Sequence, residues 1–281
     1  MIKSLVKYLV YSSHLVAAVT AGCALAPLMY LGVSNFFEVL AFIYASTFLI
    51  YNIDRLLHKS PEDKINHPER VLWFQIHSRG LFIQMIPAVG ISIYFLSLCN
   101  WQSAVLLISF LFICMMYIYP IIPGRKGKFS LKSTSLGKPV IIAFIWSGIT
   151  VLFPVILTNS GITSAIFFYY VTCFSLAFIN AMYFDLKDLK GDQAEGLTTY
   201  AVINGFDNSV LLTNKFSTCS IIFMLVIFAI SFNLIPLVLS VVAVYLMNKM
   251  GRSMVEKKQL HSVLVMEMIL LLPAIGFLLP A

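Results

Sequence analysis

The sequence predicts an all-α, polytopic membrane protein, one domain built as a bundle of nine transmembrane helices, and three observations carry that prediction. Hydrophobic residues make up 60% of the chain and charged residues only 11%, with a mean hydropathy of +0.91. An ordinary soluble domain carries about 25% charged residues, so a water-soluble globule is excluded. The apolar residues fall into nine runs, most of them about 17–25 residues long and able to cross the hydrocarbon layer as helices. All 19 Lys and Arg fall at one end of those runs, the pattern that the positive-inside rule assigns to the cytoplasm.

Taken in order, the runs cover approximately 10–33, 36–53, 79–99, 102–120, 139–157, 162–183, 210–231, 233–248 and 262–280. Residues 1–10, with Lys3 and Lys7, begin like a signal peptide. The run from Leu15 to Val33 is nevertheless long enough to span, and no clear cleavage signal follows, so it is expected to be retained. With no targeting peptide evident, a bacterial inner membrane is the expected host. Five scattered cysteines (Cys23, Cys99, Cys114, Cys173, Cys219) lack CxxC or metal spacing and read as small buried hydrophobes.

The basic residues sit before the first run (Lys3, Lys7) and between runs two and three, four and five, six and seven, and eight and nine. The alternate loops, near Asn35, Asn100, Asn159 and Asn233, contain none. The N-terminus is therefore expected inside and the C-terminus outside, and the net charge of +7 needs no nucleic-acid partner. Chemistry is expected at the cytoplasmic face, where the loops are long. Glu38 near the outer side and Glu267 inside the ninth run are the exceptions among the acids. Glu267 either lines a pocket or hydrogen-bonds between helices.

Two polar loops stand out. The first, about 51–78, carries Asn52, Asp54, Glu62 and Asp63, with Asp54 and His58 at i, i+4 and a turn at Asn66-His67-Pro68. The second, about 184–209, places Asp185, Asp188 and Asp192 within eight residues. On one continuous helix these three carboxylates would share an arc of about 60°. Such a face is either a solvated stretch of alternating charge, with Lys187 and Lys190 interleaved, or a holder of hard divalent cations, above all Mg2+. The loops lie four runs apart, which suggests two related halves facing one central cavity open to the cytoplasm.

The chain resembles the UbiA superfamily of intramembrane prenyltransferases. Asp188-Leu-Lys-Gly-Asp192 followed by Gly196 and Thr198-Thr199 resembles the family's second Asp-rich motif, preceded by Asn180 and Asp185. Tyr119-Pro120, the Arg125-Lys126 loop and Gly137 resemble the segment after helix four, and Asn66-His67-Pro68-Glu69-Arg70 the tail of the first motif. The first motif itself departs from the pattern: Ile53 follows Asn52, and Leu56 and Ser60 stand where acids are usual. Asn52, Asp54 and Asp63 form a rearranged version of it.

The resemblance implies a nine-helix bundle with Mg2+ held by Asp185, Asp188, Asp192 and by Asn52, Asp54 and Asp63. It implies Arg70, Arg125 and Lys126 as diphosphate clamps, although each also serves as a plain positive-inside residue. The implied donor is a polyprenyl diphosphate and the acceptor a small aromatic or lipid-like nucleophile. Aromatic side chains, 23 Phe and 13 Tyr, could line the isoprenoid channel. The altered first motif keeps open a weakened relative that binds or moves an isoprenoid without transferring it.

Overall fold

Two serines interrupt the first apolar run. In the computed structural model, which describes residues 2–57, 61–124, 127–231, 234–257 and 259–279, α1 (Ile2–Tyr11) and α2 (His14–Tyr30) meet at 73°. Ser13 takes a left-handed backbone there, with φ of 67°. The carbonyls freed by the break need partners in an apolar setting. Asn52 Nδ2 donates to Ser12 O (3.0 Å) and to Phe48 O (2.8 Å), and Arg55 Nη1 donates to Tyr11 O (2.7 Å). The donors belong to α3 (Phe36–Leu57), so part of the first polar motif holds the entry of the chain in place.

A short α4 (Pro61–Asn66) leads into α5 (Pro68–Leu98), which starts well before the expected position 79. After Pro68 the segment holds polar residues but no helix breaker, and proline suits a first turn. The Asn100 side chain caps α6 (Trp101–Ile118) by accepting from Ser103 N at 2.8 Å. A two-stranded antiparallel ribbon, β1 (Ile122–Gly124) and β2 (Gly127–Phe129), follows; Arg125 and Lys126 at its tip lie outside the described residues.

The fifth run forms α7 (Gly137–Ser147), a π-helical turn (Gly148–Leu152) and α8 (Phe153–Leu157). Then come α9 (Ser164–Lys187), α10 (Leu189–Glu195), α11 (Tyr200–Ser231), α12 (Leu234–Lys257), α13 (Leu260–Ile269) and α14 (Leu272–Leu278). Among the described residues eight helical stretches are long and apolar enough to cross a membrane, or nine if the bent α1–α2 pair counts as one. The protein is an integral membrane protein of all-helical architecture, the small ribbon apart.

In α9, 67% of the apolar window is buried inside the protein, against 11% in α6. The first is the central post of the bundle, packed by α7, α11 and α12, and the second faces outward. The chain leaving that post carries the second Asp-rich motif.

Candidate functional site

The three carboxylates do not share one helical face. Helix α9 ends at Lys187, Asp188 is a junction with φ of −95° and ψ of 7°, and Asp192 sits in the separate helix α10. This corrects the expectation of a single face, because the turn at Asp188 rotates the later residues away from the α9 register. The set divides into a pair and a single group.

Asp185 and Asp192 converge on Lys138, the second residue of α7. Its Nζ lies 3.0 Å from Asp185 Oδ1 and 3.2 Å from Asp192 Oδ2. Both carboxylates are buried, and Thr199 Oγ1 donates to Asp192 Oδ2 at 3.5 Å. Two glycines place these groups. At Gly137 a Cβ would stand 2.5 Å from Leu131 O and 1.9 Å from Thr134 Oγ1, so only glycine lets α7 begin against that turn. Gly196, with φ of +75°, ends α10 in the left-handed conformation and lets Leu197 N donate back to Asp192 O at 2.9 Å.

Asp188 turns the other way. His67 Nε2 is 3.0 Å and Lys187 Nζ 3.2 Å from its Oδ1, and those two basic groups are 3.2 Å apart. Burial would raise the Asp188 carboxyl, but the Lys187 ammonium and His67 outweigh it and hold the group well below the usual carboxylate range. Burial pushes the His67 imidazole below its ordinary value, and Asp188 reverses this only in part.

Asn66 welds the two polar loops together. Its Nδ2 donates to Asp188 O at 2.9 Å, and its Oδ1 accepts from Gly191 N at 3.0 Å. The 130–138 segment joins the same junction: Lys132 pairs with Glu195 at 3.2 Å, Tyr200 N donates to Ser135 O at 2.7 Å, and Thr198 Oγ1 donates to Ser133 O.

Asp63 is ion-paired with Arg70, both half-buried. Asn52 points its amide nitrogen at the α1–α2 break and leaves Oδ1 buried without a hydrogen bond. Asp54 lies in α3 with its side chain outside what is described, as are Arg125 and Lys126 entirely. Glu267 in α13 faces the Asn180 amide of α9. Lys138, Lys187, Asn66 and His67 were not singled out as site residues from sequence. The Asn-His-Pro-Glu-Arg tail was the available signal for Asn66 and His67; the lysines were absorbed by the positive-inside pattern.

Among the described residues no three His, Cys, Asp or Glu side chains converge as a ready metal cage. The donor chemistry nevertheless suits a hard cation: both Asp185 oxygens and Asp188 Oδ1 are buried without an aligned hydrogen bond, like Asn52 Oδ1. Two cavities, of about 490 and 210 Å3, are lined by Leu56, Arg79 and Phe82 and by Tyr8, His77 and Gln84. None of the three aspartates lines either, and both are shallow hollows beside α5, so the polar contacts rather than these hollows locate the site.

A UbiA homolog from Archaeoglobus fulgidus bound to DMAPP and Mg2+ matches with a TM-score of 0.62 at 12% identity, covering 97% of each chain. A UbiA homolog from the same organism bound to Cd2+ matches with a TM-score of 0.61 at 13% identity, over 97% of this chain and 100% of that one. At such identities the likeness carries the fold alone. No curated protein matches. The model of the UbiA prenyltransferase family matches residues 60–263, well over half the chain and including Asn66, Lys138 and all three aspartates. By that match the chain belongs to the UbiA prenyltransferase family.

Proposed function

We propose that the chain transfers a prenyl group from an allylic polyprenyl diphosphate to an aromatic or similar lipid-soluble acceptor within the membrane. The observation that carries this reading is the meeting of the two polar loops, with Asn66 and His67 against Asp188 and Gly191. Family membership supports prenyl transfer in general. The archaeal homolog solved with DMAPP and Mg2+ supports an allylic diphosphate donor and a divalent cation.

Asp188 and Asp192, with Asp185 beside them, would hold Mg2+, and Asn52, Asp54 and Asp63 are the candidates on the first-motif side. When bound, the cation supplies charge neutralisation to the leaving diphosphate. The chain's own residues do the rest. Lys187, Lys138 and Arg70 bring positive charge to phosphate oxygens that carboxylates alone would repel, and Arg125 and Lys126 are further candidates. Asn66 fixes the backbone from Asp188 to Gly191, so the carboxylate keeps its aim. Ionisation breaks the allylic C–O bond and sends its electron pair out with the diphosphate. The acceptor then bonds to the prenyl carbon and gives up a proton.

The one-sided Lys and Arg support a cytoplasmic N-terminus, motif loops and cavity mouth and an outer C-terminus, and a bacterial inner membrane is the host proposed with them. The α4–α10 contact supports one domain of two related halves. A second reading, an isoprenoid-binding relative without transfer, is favoured by the engagement of Asn52 at the α1–α2 break and by Leu56 and Ser60 in place of acids.

The test is Mg2+-dependent pyrophosphate release from geranyl, farnesyl and longer allylic diphosphates, with an Asp188→Asn, Asp192→Asn double variant beside the wild type. Release that disappears in the double variant is expected. Saturable donor binding with no release from any donor would move the assignment to the second reading.

A further inference from the structure

Lys138 stands where a cation between Asp185 and Asp192 would stand. Its side chain is 15% exposed, against 2% and 0% for the two carboxylates it bridges. Two buried carboxylates facing each other repel strongly when little water screens them. Neither oxygen of Asp185 makes a hydrogen bond, so the ammonium is the charge that compensates it. The neighbouring acids are matched in the same way, Asp188 by Lys187 and Asp63 by Arg70. A divalent cation entering between Asp185 and Asp192 must therefore displace an ammonium already held there. Without a new partner, that ammonium would be left buried and uncompensated, which is strongly unfavourable.

We propose that Lys138 is a resident counter-cation that keeps free divalent cations off the Asp185–Asp192 pair until a diphosphate arrives to receive its ammonium. Phosphate oxygens then take the ammonium, the carboxylates take the metal, and metal and donor load together. No covalent bond changes in this exchange. Lys138 is thus a positioning residue that sets the order of loading. The inference rests on reading these carboxylates as the cation face of a diphosphate site. Its test reads metal binding without turnover, so it can fail while pyrophosphate release stands, and the reverse.

The experiment titrates purified protein in detergent with Mn2+ alone, following free Mn2+ by electron paramagnetic resonance. Lys138→Met removes the charge and keeps the length of the chain. This variant is expected to bind Mn2+ roughly 10-fold or more tightly than wild type, the scale on which groups beside metal ligands move affinity. Adding Asp192→Asn to Lys138→Met should abolish the gain, and Lys138→Arg should bind as weakly as wild type. A second measurement on the wild type alone covers the case of a misfolded variant. Acetylation of Lys138 by acetic anhydride, read by mass spectrometry, should be unchanged by millimolar Mn2+. Wild type binding Mn2+ as tightly as Lys138→Met, or Mn2+ alone unmasking Lys138 to the reagent, would overturn the proposal.

Discussion

Asn66 holds a carbonyl of one turn and an N–H of the next with a single amide, adding to the 3.1 Å bond that Gly191 N itself donates to Asp188 O. Asn66→Ala is expected to lower stability by about 0.5–1.5 kcal/mol for each bond lost, both backbone groups keeping another partner, and to weaken donor binding. Thermal unfolding in detergent checks the first effect, and Asn66→Asp, which keeps the acceptor for Gly191 N, should recover part of it. His67 gives a pH dependence. Its folded-state value lies below that of the unfolded chain, near 6.5, so the unfolded chain binds more protons as pH falls through that value. Stability should therefore drop on acidification from pH ~7 to below ~6.5, and His67→Asn should flatten that slope. The three aspartates could be picked from sequence because their spacing is dense and local. Lys138 could not, since its partner Asp192 is 54 residues away and a lysine at the mouth of a span has an ordinary explanation.

At the scale of elements, the apolar runs located the spans, because a helix that crosses hydrocarbon must be long and apolar throughout. The break at Ser12 and Ser13 left no proline or glycine to mark it; it depends on Asn52 and Arg55 reaching across from α3. Asn52→Ala should cost about 1–3 kcal/mol by stranding Ser12 O, measured by thermal or detergent denaturation. The early start of α5 was missed for a related reason: polar residues read as loop even where nothing in them stops a helix, whereas the stretch before position 210 in α11 is set apart by a kink at Gly205, with φ of 76°. Gly137 sets the approach of α7 to the 131–134 turn. Gly137→Ala forces a Cβ to 2.5 Å from Leu131 O, and overpacking of this kind costs about 1–3 kcal/mol. Displacement of Lys138 should accompany that loss and show as weaker donor binding.

Across the whole molecule, the loops after α3, after α6 and after α9 come together around Asp185, Asp188 and Asp192, although they are far apart in the chain. The cytoplasmic side proposed for them rests on the lysines and arginines and can be measured. In a cysteine-free background, a membrane-impermeant thiol reagent should label Asn159→Cys from outside intact cells and Lys64→Cys only after permeabilisation. The reverse pattern would invert the bundle. That the junction is a diphosphate site is tested most directly by the binding of farnesyl thiodiphosphate, a slowly reacting donor analogue, to purified protein with Mg2+. Wild type should bind it saturably, and the Asp188→Asn, Asp192→Asn and the His67→Ala, Lys187→Ala double variants should each bind about 10-fold more weakly or worse, as loss of paired charged contacts implies. Equal binding by wild type and both folded double variants would contradict a diphosphate site between α4 and α10.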